Sequence, residues 1–77
     1  MKRASIKMQK LNAIYMAFTD LVNEIGYEKL TTRLVAKKAG VSIGSVYYYF
    51  PDGKASIAAG LYEKNLSAQL ENMQLDL

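Results

Sequence analysis

Three hydroxyl-bearing residues, Ser45, Tyr47 and Tyr48, stand in a short helical pattern that leaves them without an obvious core to fill. Serine and tyrosine hydroxyls bind phosphate oxygens, and a tyrosine ring edge can contact a thymine methyl group in the major groove of DNA. These residue types therefore suit a helix that faces a nucleic acid. The same spacing is as typical of a corner between two helices that binds nothing, so the pattern alone leaves both interpretations open.

The elements that position these side chains meet at Gly40, between a helical pattern that ends at Ala39 and a second one over residues 43–49. Glycine adopts a positive φ without steric cost, so the chain can turn sharply there. Ser42 is placed to cap the second helix by accepting a hydrogen bond from a backbone N–H. An apolar seam for two crossing helices is formed by Val35, Ala36, Ala39, Val41, Val46 and Tyr49. Together these features predict a helix-turn-helix.

Helical patterns also flank this pair on both sides. Over residues 5–25 apolar side chains recur at steps of three and four, which predicts a first helix with one core-facing stripe. Thr31 or Thr32 can cap the helix that ends at Ala39. The sequence therefore predicts an all-α bundle of three helices with a helix-turn-helix, followed by a fourth helix.

The start of the fourth helix carries a second indication of an anionic partner. Pro51 ends the 43–49 helix, and an Asp52-Gly53 turn leads into the next one, with Asp52 as the predicted cap. Lys54 then falls in the first turn, where its positive charge opposes the helix dipole. That placement points to a phosphate near Lys54.

Composition narrows the possible functions. The chain has 77 residues with no cysteine and no histidine, which excludes a zinc finger, a thiol nucleophile and a histidine-based triad, and argues against an enzyme or a cofactor site. Residues 1–54 contain nine basic against four acidic residues, whereas residues 55–77 contain one against three. The positive charge thus accompanies the helix-turn-helix, which favours a polyanionic partner. Neither a signal peptide nor an apolar run long enough to span a membrane occurs, so we expect a cytoplasmic protein without a membrane partner.

The fourth helix carries an apolar stripe that three short helices cannot cover. Its C-terminal part consists of Leu66, Leu70, Met73 and Leu77. We expect this stripe to reach into a second domain or a partner that the chain lacks. Two alternatives are a frayed amphipathic tail and a small helical protein-interaction module that uses the Leu66–Leu77 stripe and does not touch DNA.

Several motifs together resemble the N-terminal DNA-binding domain of TetR-type transcriptional repressors. They are Leu30-Thr31-Thr32-Arg33, Val35-Ala36, Ala39-Gly40-Val41-Ser42, Gly44-Ser45-Val46-Tyr47-Tyr48-Tyr49-Phe50-Pro51 and Lys54. The similarity extends from about residue 8 to residue 62. It implies a homeodomain-like DNA-binding domain over residues 1–62. Residues 63–77 would continue the fourth helix toward a ligand-binding and dimerisation domain that is absent here.

The resemblance also implies a function and its partners. The third helix would enter the major groove of a double-stranded DNA operator and repress transcription, as a homodimer in the full-length context. A small-molecule inducer would act only through the absent C-terminal domain, and the protein would be cytoplasmic and associated with the bacterial nucleoid.

By position, the resemblance assigns roles to individual residues. Thr32, Tyr47 and Lys54 correspond to phosphate contacts, and Arg33 to a position from which a base is reached. Ser45, Tyr48 and Tyr49 match recognition-helix positions, and Gly44 would let that helix press close to the groove. Among the three consecutive tyrosines we expect Tyr49 to be the one that packs on the core. The sequence departs from the family pattern at Ile43, at Tyr49, where histidine is frequent, and at Gly53, which lengthens the connection to Lys54 by one residue.

Overall fold

Residues 5–75 form four helices and the connections between them. The computed structural model describes the backbone of residues 5–75 and the side chains of residues 5–64. The helices are α1 (Ile6–Ile25), α2 (Thr32–Ala39), α3 (Ile43–Tyr49) and α4 (Lys54–Leu75). No strand occurs between residues 5 and 75. The predicted all-α architecture is confirmed, with the bounds of α2 and α3 as the sequence indicated.

The turn between α2 and α3 is a Schellman cap. Gly40 has φ 74° and ψ 29°, the left-handed conformation that favours glycine. Its N–H donates to the carbonyl of Lys37, and the N–H of Val41 donates to the carbonyl of Ala36 at 3.1 Å. These two bonds satisfy carbonyls that the end of α2 would otherwise leave free. The predicted helix-turn-helix therefore has a rigid connection.

One apolar core holds the four helices together. Its fully buried large side chains are Ile14, Leu30, Val35, Val46 and Ile57. They come from α1, the loop after α1, α2, α3 and α4, so each element contributes to the same cluster. Burial of one such side chain contributes about 1.5–3 kcal/mol. The predicted α2–α3 seam lies within or against this core.

The start of α4 differs from the prediction that Asp52 caps it. Gly53 is the residue before the first turn, and its carbonyl accepts the first helical bond, from the N–H of Ile57 at 3.1 Å. Asp52 contributes a donor instead, because its N–H donates to Ser56 Oγ at 3.0 Å. Asp52 was the wrong residue for the cap because the extra Gly53 moves the helix start one position along the chain.

Tyr15 of α1 lies over Gly60 of α4 and explains why a glycine stands inside that helix. A Cβ built on Gly60 would lie 2.5 Å from the Tyr15 hydroxyl oxygen. The Tyr15 ring packs edge-on against Phe50 with centroids 5.5 Å apart, and the ammonium of Lys64 lies 5.4 Å from its centroid. Burial, together with the nearby Glu63 carboxylate, raises the pKa of Tyr15. The hydroxyl thus occupies the space that a side chain at position 60 would need.

Gly60→Ala is therefore expected to destabilise the domain by about 1 kcal/mol, although alanine is the better helix former by about that amount. In a Tyr15→Phe background the colliding oxygen is absent, and the same change should stabilise by about 0.5–1 kcal/mol. Urea unfolding of the four chains, followed by circular dichroism, measures both effects. Equal effects of Gly60→Ala in the two backgrounds would show that Tyr15 does not limit this position.

The predicted Leu66–Leu77 stripe lies outside the described side chains. The helical backbone of α4 continues through Leu75. Within the described part of the chain, no helix combines the length and apolarity that a membrane crossing requires.

Candidate nucleic-acid interface

The third helix presents two tyrosines to solvent and fixes its own position through two buried neighbours. Tyr47 is 47% exposed and Tyr48 is 79% exposed, whereas Val46 is fully buried and Phe50 is 6% exposed. An exposed tyrosine beside a buried valine means that α3 turns one face to the core and the other outward. Tyr49 is half-buried and packs on the core, as predicted. The outward face is therefore presented by a helix whose position the core determines.

Ser42 and Ser45 arrange the first turn of α3. Ser42 Oγ accepts from the N–H of Ser45 at 3.0 Å, which confirms Ser42 as the N-cap. The two hydroxyl oxygens lie 3.0 Å apart, with Ser42 donating to Ser45. Because Ser45 Oγ accepts from Ser42, its own proton is directed away from that bond. Gly44 is exposed, and the position of an added Cβ has only Ser42 Oγ, at 3.9 Å, within 4 Å.

Tyr48 lies on the side of α3 that faces α1. Its ring packs edge-on against Tyr49, with centroids 5.0 Å apart and planes at 83°. A groove beside this pair is lined by Lys7, Leu11, Tyr15, Tyr48, Tyr49 and Phe50. The first turns of α1 therefore share a surface with the end of α3.

Tyr47 faces a different junction, where the N-terminal ends of α2 and α4 meet. Thr31, and not Thr32, caps α2 by accepting from the N–H of Leu34 at 3.1 Å. Thr32 Oγ1 instead accepts from the backbone N–H of Lys54 at 3.0 Å, across 22 residues of sequence. The position of a Cβ added at Gly53 lies 3.3 Å from the Tyr47 ring. The structure thus brings together Thr32, Tyr47 and Lys54, three of the predicted site residues.

The Lys54 ammonium is bound by the loop between α1 and α2. It donates to the carbonyl oxygens of Tyr27 at 3.0 Å, Leu30 at 3.1 Å and Glu28 at 3.4 Å, and lies 4.5 Å from the centroid of the Tyr27 ring. These carbonyls supply the negative partner that the dipole argument assigned to a phosphate. The charge of Lys54 at a helix N-terminus therefore needs no bound anion, and a phosphate contact by Lys54 stays a prediction.

The remaining predicted residue, Arg33, lies exposed in the first turn of α2. Nearby charge on the same helix is partly neutralised, because Lys38 donates to Glu24 of α1 at 3.2 Å. Both partners are substantially exposed, so this pair contributes under about 1 kcal/mol. Within the described residues, no group of three or more histidine, cysteine, aspartate or glutamate side chains could hold a metal ion.

A helix-turn-helix fixed by a Schellman turn, with hydroxyl and aromatic side chains outward on its second helix, is the geometry of a DNA-reading motif. A family model described as "Bacterial regulatory proteins, tetR family" matches residues 14–61. The chain belongs to the tetR family. The resemblance drawn from the motifs of the sequence is thereby confirmed, and the match covers the whole helix-turn-helix.

Two curated relatives of this tetR-family chain agree with the assignment. It is 31% identical over 71 residues to the fatty acid metabolism regulator protein of Bacillus subtilis (strain 168), a match that covers 92% of this chain and 36% of that protein. It is 38% identical over 48 residues to the tetracycline repressor protein class A from transposon 1721 of Escherichia coli, which covers 62% of this chain and 22% of that protein. The chain therefore spans roughly a third or less of the length of these relatives. No solved structure matches the chain significantly.

Sequence reasoning missed two features of this tetR-family surface. The sequence predicts Gly53 as a turn residue that lengthens the connection to Lys54, whereas the structure also buries it between predicted site residues. Its signal in the sequence was the Asp-Gly pair, which is typical of a turn with positive φ, but contacts across 21 residues leave no local pattern. The groove beside Tyr48 was the second omission, because its lining comes from α1 and from the end of α3, and no local pattern in the sequence joins these two segments.

Proposed function

We propose that this chain binds double-stranded DNA by placing α3 in the major groove, as the DNA-binding part of a tetR-family transcriptional repressor. The observation that carries the proposal is the pair of exposed tyrosines, Tyr47 and Tyr48, on a helix anchored by fully buried Val46. A large exposed aromatic face on a fixed helix costs little conformational entropy when a partner covers it. Family membership supplies the kind of partner, and the net charge of +3 agrees with it.

The roles of the site residues follow from their positions. Thr32 and Tyr47, which lie against the same backbone segment, would hold the DNA backbone and set its register. Arg33, Ser45 and Tyr48 would reach base edges or the thymine methyl group. The open space at Gly44 would let the first turn of α3 approach the groove closely, while Tyr49 supports the helix from the core side.

The proposed dimer involves parts of the protein outside the described residues. Helix-turn-helix proteins bind two half-sites about one helical turn apart, which requires two copies. We propose that the operator-binding form is a homodimer, held together by parts of the relatives' length that this chain does not span. A small-molecule inducer would bind there too, and the protein would act in the cytoplasm at the nucleoid.

Selection from a random pool of duplex DNA, followed by gel shifts at several salt concentrations, tests the proposal. We expect enrichment of a defined sequence and affinity that falls steeply as salt rises, because basic groups displace counterions from the phosphates. An affinity that does not depend on salt, or no retained DNA at low salt, would reject DNA binding. The alternative of a protein-interaction module that uses the Leu66–Leu77 stripe then becomes the working hypothesis.

Replacing the base-reading residues should change which sequence is preferred. Arg33→Ala and Tyr48→Ala are each expected to weaken binding to the selected sequence by about 5- to 150-fold, equivalent to 1–3 kcal/mol, while affinity for unrelated DNA changes less. Competition gel shifts with the selected and a scrambled duplex measure this ratio. Tyr62→Ala is a matched control, because Tyr62 is 69% exposed but lies on α4. If Tyr48→Ala and Tyr62→Ala bind both duplexes alike, the base-reading assignment is wrong.

A further inference from the structure

The connection between α3 and α4 brings Gly53 against two side chains of the proposed DNA surface. Gly53 is buried and has φ 66°, a conformation that favours glycine. A Cβ at this position would lie 2.5 Å from Thr32 Oγ1 and 3.3 Å from Tyr47 Cε1. The missing side chain of Gly53 is therefore what lets Thr32 and Tyr47 pack against the same backbone segment.

The hydrogen bond between α2 and α4 determines how the Thr32 hydroxyl can be used. A hydroxyl has one proton to donate and two lone pairs that accept. The N–H of Lys54 occupies a lone pair of Thr32 Oγ1 at 3.0 Å. The hydroxyl proton is consequently directed away from that amide, and Thr32 is partly exposed to solvent. Thr32 therefore presents a donor to an external acceptor.

We propose that Gly53 and the Lys54 backbone amide are positioning groups for a phosphate-binding site formed by Thr32 and Tyr47. The amide donates to Thr32 Oγ1, so the proton of this hydroxyl points away from the amide and can be donated to a ligand. The absence of a side chain at Gly53 lets the partly exposed Tyr47 lie beside Thr32. A phosphodiester oxygen fits this arrangement because it only accepts hydrogen bonds. The inference rests on the proposed function, since DNA supplies the phosphate, and it assigns to position 53 a role in binding rather than in chain connection alone.

Amide hydrogen exchange at Lys54, followed by NMR, tests the bond without DNA. First-turn amides of a helix have no partner inside the helix and exchange readily. The Lys54 amide should exchange slowly in the parent chain and in Thr32→Ser, which keeps the oxygen, and rapidly in Thr32→Val, which has the same size without it. An equal exchange rate in the parent and in Thr32→Val would overturn the proposed orientation.

Binding to a mixed-sequence DNA duplex tests the role of the hydroxyl. Thr32→Val is expected to weaken binding about tenfold on every sequence, as the loss of one hydrogen bond to a charged group. The dependence of affinity on salt should stay unchanged, because threonine carries no charge. Thr32→Ser should bind within about threefold of the parent, since it retains the donor. A folded Thr32→Val chain that binds the duplex within about threefold of the parent would overturn the role of the Thr32 hydroxyl as a phosphate donor.

A double-mutant cycle tests Gly53 itself. Gly53→Ala alone should weaken binding at least about tenfold, because the added methyl displaces the Thr32 hydroxyl. In a Thr32→Ala background the colliding oxygen is gone and only the looser 3.3 Å approach to the Tyr47 ring remains, so adding Gly53→Ala should cost less than about threefold. The positioning role of Gly53 would be overturned if the affinity losses of the two single variants added up fully in the double variant, or if Gly53→Ala bound as the parent does. Either result would leave the proposed DNA binding intact. A parent chain that binds no duplex would remove the proposed function and this inference together.

Discussion

Replacing Ile57 by alanine is expected to destabilise the domain by about 2–5 kcal/mol. Ile57 is fully buried and is the α4 member of the core cluster. Its truncation removes transfer free energy and leaves a cavity that the neighbouring helices fill only in part. Since stability is about 0.05–0.15 kcal/mol per residue, a chain of 77 residues would lose a large fraction of its total.

Urea unfolding followed by circular dichroism measures the loss, and Ile6→Ala is the matched control. Ile6 is 71% exposed at the start of α1, so the same chemical change should alter the free energy of unfolding by less than about 0.5 kcal/mol. If Ile57→Ala and Ile6→Ala unfold at the same urea concentration, α4 does not pack on the core as described.

The helices of this domain could be predicted because each carries its own local signals. The stripe on α1 repeats at helical spacing, and Ser42 and Gly40 mark where α3 begins and α2 ends. These signals depend on residues three to five positions apart, which a sequence displays directly. Their agreement with one another is what made the helix-turn-helix recognisable before the structure.

The arrangement of the site could be predicted only in part, because its contacts join residues far apart in sequence. Tyr47 and Tyr48 were expected to face outward, and they do. The bond from Lys54 to Thr32 spans 22 residues, and the place of Gly60 under Tyr15 spans more. Such contacts are set by how helices pack, and no periodicity or cap motif encodes them.

Lys54 illustrates how packing changes an interpretation that its sequence position supported. From the helix dipole alone, a lysine at this position calls for an anion. Three loop carbonyls and the Tyr27 ring instead surround its ammonium, so the charge is satisfied within the protein. This ties the first turn of α4 to the loop that precedes α2, and it separates two roles for the residue, structural anchor and phosphate contact.

Lys54→Met is accordingly expected to destabilise the domain by about 1.5–3 kcal/mol, because the loop carbonyls lose a charged donor while the length of the side chain is kept. Urea unfolding measures the change. Lys29→Met is the control, since Lys29 is an exposed lysine in the same loop and its loss should change stability by less than about 0.5 kcal/mol. Equal stability of Lys54→Met and the parent would contradict the anchoring role.

DNA binding by the same variant decides whether Lys54 also contacts phosphate. If its ammonium leaves the carbonyls for the DNA backbone, Lys54→Met and Lys54→Ala should weaken binding on all sequences and lower the slope of log affinity against log salt by about one unit. If the ammonium stays with Tyr27 and Leu30, the slope of the folded variants should equal that of the parent. Because the stability loss is expected in both cases and the change in slope in only one, the two measurements together assign Lys54 its role.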